Sequence, residues 1–566
     1  MLRRSPILLA LAALTLTFGI LAEYQVRADD PAKPNKKTES KGPELGKDWG
    51  KLRDGLNGLF AQLQKDSNIK PSRICDDDTF CRRIYLDLLG RPPLPEEIEA
   101  FNPGRRDADG NKGNEKREAL IDKLLAHPDH ARHFADWWTT VMIDRNGDGN
   151  ARRFLHEYLE KSFAANTPWN EMVYAMVAGQ GKTPENPEIG YLMSFENNRA
   201  DIAGITSKVF LGKQIQCAQC HKHPYEHWLT DDFEGMQAFF NLSSTGAKGE
   251  GADRYWYTND TVPKNAMDLA KRVRLKGKYS GPTFLGDATY EWQEGKTLRT
   301  ALAEWMTSRE NHWFREMTIN RYMAYFLGMG FVTPVDDFNS INEPTFPVVL
   351  DIMGKDFAAS GFDTNHLIKA ICSSDLYQRE VDTNRTNRDD YMFYSRSFVK
   401  RLTPEQIRRS IMSVIGIERL NPYDQVRDVP EDKLTPDEKA NKSIRDRVNN
   451  WNGNLSRLIR DAYGADPQMY EFGDFDGTII QALMMMNADL LNTGGLKNAV
   501  TDIVERYPCH KDRIHQIFMT VLGRKPSKMD VAILNATFSN WGGSDNAAYE
   551  DLFLALMNTT EFITNH

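Results

Sequence analysis

IYLDLLGRPPLPEEIEAF, residues 84–101, decides the fold class: an apolar helix end, then Leu-Gly-Arg-x-Pro, then a second helix. Glycine just past a helix accepts the left-handed turn that closes it, and a proline soon after prevents continuation. IFMTVLGRKPSKMDVAIL, residues 517–534, repeats the plan, with Gly523 and Pro526 in the places of Gly90 and Pro93. About 35 residues after each corner comes a second similar stretch, LLAHPDHARHF in the first copy and LMNTTEFITNH in the second. Two helical units of one design, one near each end of the chain, suggest that they pair in space or frame the middle. The plainer reading is a stable helix–turn–helix corner used twice.

Helical spacing continues outward from both corners. Phe154, Leu155, Tyr158, Leu159 and Phe163 recur on one face, as do Met172, Val173, Met176 and Val177. In RLTPEQIRRSIMSVIG (401–416), Thr403 as N-cap, Pro404 at the first helical position and Gln406 at N3 form a capping box. Between 241 and 295 the character changes: NLSSTGAKGEGADRYWYTND and GKYSGPTFLGDATYEW carry Gly, Ser and aromatic residues in short alternation. The expectation is a mainly α, multi-helical two-domain protein with a short irregular or β insert between its halves. The boundaries are 51–240 for the first helical domain, 241–295 for the insert and 296–566 for the second. The polar stretch 421–455 reads as a surface excursion or helical hairpin.

Residues 1–28 read as a secretory signal. Arg3 and Arg4 precede the apolar run ILLALAALTLTFGILA, and Val26 and Ala28 supply small residues before Asp29. An uncleaved anchor is the competing reading; the run is short for a span and Glu23 follows it at once. Residues 29–50 are rich in Pro, Lys and Glu and read as a disordered tether. The expected location is therefore outside the cytoplasm, periplasmic or at the cell surface. The 566 residues carry 71 Lys+Arg against 79 Asp+Glu, and removing the signal takes the net charge from −8 to −10. That balance argues against a general nucleic-acid binder, and past the signal no apolar run is long enough to span a bilayer. Six cysteines are too few for a disulfide scaffold.

The chemistry concentrates in QIQCAQCHKHPYEHW, residues 214–228. Cys217-Ala-Gln-Cys220-His221 is a CxxCH motif, the signature of c-type haem attachment: two thiols add to the haem vinyl groups and the adjacent imidazole binds the iron. Ile202, Ile205, Val209, Phe210 and Ile215 read as an amphipathic helix leading into the motif and stopped by Pro224. Two other readings use the same residues. Cys217, Cys220, His223 and His227 form C-x2-C-x2-H-x3-H, a donor set suited to zinc, and the two cysteines alone would make a CxxC disulfide. For a sixth haem ligand, Met236, Met193, His133 and His156 lie in the same helical region; each also reads as an ordinary core or surface residue.

At these residues the chain resembles a pair of domains found in planctomycete proteins. RRIYLDLLGRPPLPEEIEAF, LIDKLLAHPDHARHFADWW and LGKQIQCAQCHKHPYEHWLTDDFEGMQAFF resemble the planctomycete cytochrome-like domain. The stretch from RTALAEWMTSRENHWFREM through HLIKAICSSDLYQ, followed by RLTPEQIRRSIMSVIG and QALMMMNADLLN, resembles the planctomycete-specific domain that follows it. The likeness covers about residues 51–240 and 296–566. It implies a family of unknown function whose cytochrome label rests on the same CxxCH. The matching positions are Cys217, Cys220, His221, His223, Pro224 and Trp228. Glu226-His227 stands where relatives more often show Asp-Lys, which weakens His227 as a zinc ligand. Residues 29–74 lack the further CxxCH of many relatives, so at most one haem is expected.

Lesser signals carry less. Asp144, Asn146, Asp148 and Gly149 look like half an EF-hand loop, with Leu155 where the bidentate Glu belongs. Asp107, Asp109, Asn111 and Glu118 have ligand spacing but Lys112 in place of the turn glycine. Both read as polar loops, with weak calcium sites as the alternative. Cys75 and Cys81 flank DDDTF and suggest a small disulfide loop, Cys372 reads as a buried thiol, and Cys509 sits near a helix start. Met484, Met485 and Met486 read as core packing, and the pairs Asp336-Asp337 and Glu96-Glu97 as helix-end or surface acids. No GxSxG, HExxH, P-loop or dinucleotide fingerprint occurs. Three functions follow in order. The first is an exported haem c protein in electron transfer or redox sensing, with a redox or surface protein as partner. The second is a non-catalytic scaffold stapled by zinc or a disulfide, and the third a hydrolase or polymer-processing enzyme whose site is not advertised.

Overall fold

A computed structural model describes residues 45–101, 111–143, 149–250, 253–273, 281–286, 289–416, 494–539 and 545–565. The stretch read as a signal, most of that read as a tether, the 421–455 stretch, Met484–Met486 and the loop residues Asp107, Asp109, Asp144, Asn146 and Asp148 lie outside them. The protein is mainly α, as its periodicity requires.

The first half runs α1 (Trp49–Asp66), α2 (Asp77–Leu89), α3 (Pro95–Phe101), α4 (Asn111–Leu125), α5 (Pro128–Ile143), α6 (Gly149–Ala164), α7 (Trp169–Ala178), β1 (Gly181–Lys182), α8 (Gly190–Met193), α9 (Arg199–Leu211) and α10 (Thr230–Ala238). The insert supplies β2 (Ser243–Lys248), β3 (Tyr255–Asp260) and α11 (Ala266–Arg272). Then come α12 (Leu298–Met306), α13 (His312–Leu327), α14 (Pro347–Ala359), α15 (Thr364–Cys372), α16 (Asp375–Gln378), β4 (Lys400–Arg401) and α17 (Pro404–Val414). The last described stretch holds α18 (Gly494–Arg506), α19 (His510–Val521), α20 (Lys528–Ser539), α21 (Asp545–Met557) and β5 (Thr564–Asn565).

The expected β character of the insert is an antiparallel sheet of order β1-β3-β2. Arg299, fully buried on α12, fastens it: the guanidinium pairs with Asp260 at the end of β3 and donates to the carbonyls of Val177 and Gly179 at the C-terminal end of α7. One apolar core is continuous across the insert, running from Leu56 through Trp138 and Trp169 to Phe326 and Tyr377. A second, smaller core takes Leu402, α17 and the helices from α18 onward.

Both Leu-Gly-Arg-x-Pro corners form as read. Gly90 and Gly523 close their helices at φ +71 and +69. Around each arginine the same cluster recurs. Arg91 makes a two-pronged bond to Glu97 at 2.7 and 2.9 Å and reaches Asp129 at 3.5 Å. Arg524 bonds Asp530 at 2.9 Å and grips Glu561 at 2.6 and 2.9 Å. Glu97 and Asp530 each also cap the next helix by accepting a backbone N–H, from Leu94 and Ser527 respectively. The corners pack together. Gly523 faces the Pro93 ring, and Arg82 on α2 donates to the carbonyl of Leu522 at 3.1 Å. The capping box at Thr403 and Gln406 is present in both directions.

Three expectations change. The helix leading to the motif ends at Gly212, four residues before the CxxCH turn begins, and Pro224 plays no part in stopping it. Cys75 and Cys81 are buried free thiols, as all six cysteines are free. Cys75 is held by its N–H to the Gln378 carbonyl, whereas Cys81 faces the core from α2. Asp336 is not a surface acid; it is 3% exposed and ion-paired with Arg321 at 3.2 Å.

Candidate functional site

The helix α9 starts on Asn198, whose side chain accepts from the Asp201 N–H, and stops on Gly212 at φ +67. A side chain at 212 would be strained by that φ, and its Cβ would come within 2.7 Å of the Phe338 ring. After three residues the chain makes one 3-10 turn, Gln216–Gln219. In that geometry side chains three apart eclipse one another, so Cys217 and Cys220 share a side. Ile215 and Ala218 point inward and are fully buried, which leaves both thiols exposed.

The histidines divide by tautomer. Nδ1 of His221 lies 2.7 Å from the carbonyl oxygen of Lys222. A carbonyl can only accept, so Nδ1 carries the proton and Nε2 presents its lone pair on the exposed loop. A histidine oriented in this way by its other nitrogen is the usual metal-ligand form. His223 is the reverse: its Nδ1 accepts the backbone N–H groups of Tyr225 and Glu226 at 3.3 and 3.0 Å. Its proton therefore sits on Nε2, and the ring serves the turn that returns the chain to Trp228. Nδ1 of His227 meets Glu226 at 3.2 Å, and its ring packs on Trp228 with centroids 4.1 Å apart. The haem set Cys217, Cys220 and His221 thus shares one exposed turn with its imidazole in the ligating tautomer. The zinc set loses His223 to the turn. Among the described residues no group of three or more His, Cys, Asp or Glu side chains is placed to hold a metal ion.

The surroundings are charged and aromatic. Trp228 is buried against Trp313, and Lys213 extends over the Trp313 ring at 5.1 Å. Burial pushes the Lys213 ammonium down, opposed by Glu226, Glu316 and Asp337. Burial pushes the Glu226 carboxyl up, but hydrogen bonds from Ser340 and the neighbouring His227 outweigh it and leave it below the usual range. His312, at the start of α13, is lowered by burial and by Arg315 and Lys213.

None of the four candidate sixth ligands faces the motif freely. Met236 and Met193 are buried among core residues. His133 is buried, with Nε2 at 2.6 Å from the Tyr325 hydroxyl, and His156 pairs with Asp136 at 3.0 Å. Cys372 is buried as expected, and Cys509 is the exposed residue before α19. The residues that sequence reasoning missed are Asp336 and Glu226. Each touches a partner more than 110 positions away in the chain. The one local hint was the apolar Val335 ahead of Asp336.

Comparison with known families finds two family models in tandem along the chain. Residues 57–245 match the family model PSCyt2 and residues 298–538 the model PSD1, each described as a protein of unknown function. The chain belongs to the proteins in which the planctomycete cytochrome-like domain is followed by the planctomycete-specific domain. No curated protein and no solved structure matches it.

Proposed function

We propose that this chain is an exported protein carrying one covalent haem at Cys217, Cys220 and His221, and that it transfers electrons or senses redox state for a protein partner. The observation that carries the reading is one exposed stretch that holds both thiols and His221, whose Nδ1 meets the Lys222 carbonyl at 2.7 Å. Each thiol would add its S–H across one vinyl double bond, sulfur to one carbon and hydrogen to the other, so attachment needs no oxidant and no leaving group. Nε2 of His221 would hold the iron. Bound there, haem supplies reversible one-electron chemistry. The signal-like residues 1–28 support export, the setting in which thioether attachment occurs.

The test is full-length protein made alongside cytochrome maturation machinery and run on a denaturing gel stained for haem. A stained full-length band that disappears in Cys217→Ser/Cys220→Ser is expected. An unstained full-length band overturns the reading, and stoichiometric zinc in the same protein would favour the scaffold alternative.

A further inference from the structure

We propose that the segment Asp336–Ser340 is a clamp that sets the shape of the CxxCH loop, with Asp336 and Glu226 as its positioning residues. The segment grips the loop on both sides of the motif. Upstream, the Phe338 N–H donates to the Gly212 carbonyl at 3.0 Å, Lys213 Nζ donates to the Phe338 carbonyl at 3.0 Å, and Gln214 Nε2 donates to Asp336 Oδ1 at 3.3 Å. Downstream, the Ser340 N–H donates to Glu226 Oε1. Between these anchors Cys217, Gln219, Cys220, His221 and Lys222 are all exposed. Apart from Ile215 and Ala218 below, the turn held by His223 and the buried Trp228, the loop is fixed at its two ends.

The clamp is itself rigidly mounted. Asn320, fully buried on α13, donates to the carbonyls of Val332 and Val335 at 2.9 Å each and accepts the Val332 N–H at 2.9 Å. Its neighbour Arg321 fixes Asp336, and Asn342 ties the far side by donating to the Asp337 carbonyl at 3.0 Å. A buried carboxylate that keeps an arginine partner and also receives a side-chain amide is a fixed post. The motif lies in the first family stretch and the clamp in the second, so the donor set is shaped by both halves. The clamp concerns what the loop presents to haem and so rests on the reading above for its purpose. Its existence is testable without haem.

Hydrogen exchange of full-length protein prepared without haem reads the clamp directly, on peptides covering 214–228 with α2 peptides as internal reference. Asp336→Ala and Glu226→Ala are expected to speed exchange in the loop about tenfold, the loss of roughly one charge-assisted hydrogen bond. Glu226→Gln, which keeps an oxygen for the Ser340 N–H, is expected to exchange like the parent. In matured protein the two disruptive variants are expected to carry less covalent haem per folded chain. Unchanged loop exchange in both overturns the clamp, as does acceleration of the α2 peptides to the same degree, which would mark general destabilisation. Faster loop exchange in a protein that takes no haem upholds the clamp while removing the haem reading.

Discussion

Glu316 stands on α13 with its carboxyl raised to about 7, by burial first and then by the Asp351 carboxylate, against the pull of Arg315, Lys213 and Lys355. The folded protein therefore holds a proton here that the unfolded chain releases above about 4.5. That contribution to stability is fully present below the unfolded value and is lost as pH rises through about 7. Glu316→Gln should remove it, so the variant gains on the parent from pH 5 to pH 8, by roughly 1–3 kcal/mol at the upper end. Thermal melts at both pH values check this; a difference that does not change with pH contradicts it. Nothing in REMTINRYM marks Glu316 as unusual, because its burial comes from the fold and, beside the adjacent Arg315, the charges acting on it are Lys213 and the α14 residues Asp351 and Lys355. The CxxCH triplet was legible for the opposite reason, since its chemistry lies within five consecutive residues. The tautomers that separate His221 from His223 depend on which backbone groups each ring meets, and spacing does not carry that.

The repeated corner is legible at the scale of elements because its causes are local. A glycine closes the helix, a proline blocks extension, and an acid four positions after that proline caps the next helix. The third member of each cluster, Asp129 or Glu561, was visible only as the later similar stretch in each copy. The two glycines are not equivalent in their surroundings, and this gives a contrast. Both need the left-handed backbone, so alanine at either should cost about 1–2 kcal/mol. At Gly90 the added carbon would also sit 2.5 Å from Nδ1 of the buried His133, whereas at Gly523 its nearest neighbour is Pro93 at 3.5 Å. Gly90→Ala should therefore lower stability by at least ~1 kcal/mol more than Gly523→Ala. Urea melts of the two variants measure the gap, and equal losses would show that His133 simply moves aside.

Over the whole molecule, the chain returns to its beginning. β5 pairs with β4, Asn565 donates to Asp87 on α2 at 2.8 Å, and Lys400 reaches the same carboxylate at 2.8 and 2.9 Å. Arg82 joins the two cores, donating to the carbonyls of Leu522 and Glu561 at 3.1 and 2.7 Å. Burial pulls its guanidinium down to about 10. Arg82→Met keeps the bulk and removes the donors, leaving those carbonyls unpaired at a cost of about 2–4 kcal/mol. Calorimetry should show the second core melting ahead of the first; one unshifted transition contradicts this. Periodicity made each helix and its apolar face readable, but an apolar stripe does not name its partner. Contacts spanning 440 positions, like that of Arg82, or 122, like that of Asp336, were therefore out of reach. Among the described residues no helix is long and apolar enough to cross a membrane.

The central claim is that the turn at 217–221 holds covalent haem. Mass spectrometry of matured, full-length protein tests it most directly, by digesting the chain and weighing the peptide that spans 214–228. The account predicts one haem mass on that peptide, bonded through both Cys217 and Cys220, with Cys509 still open to alkylation. A peptide of unmodified mass whose two thiols alkylate freely, from protein folded under the same conditions, would contradict it.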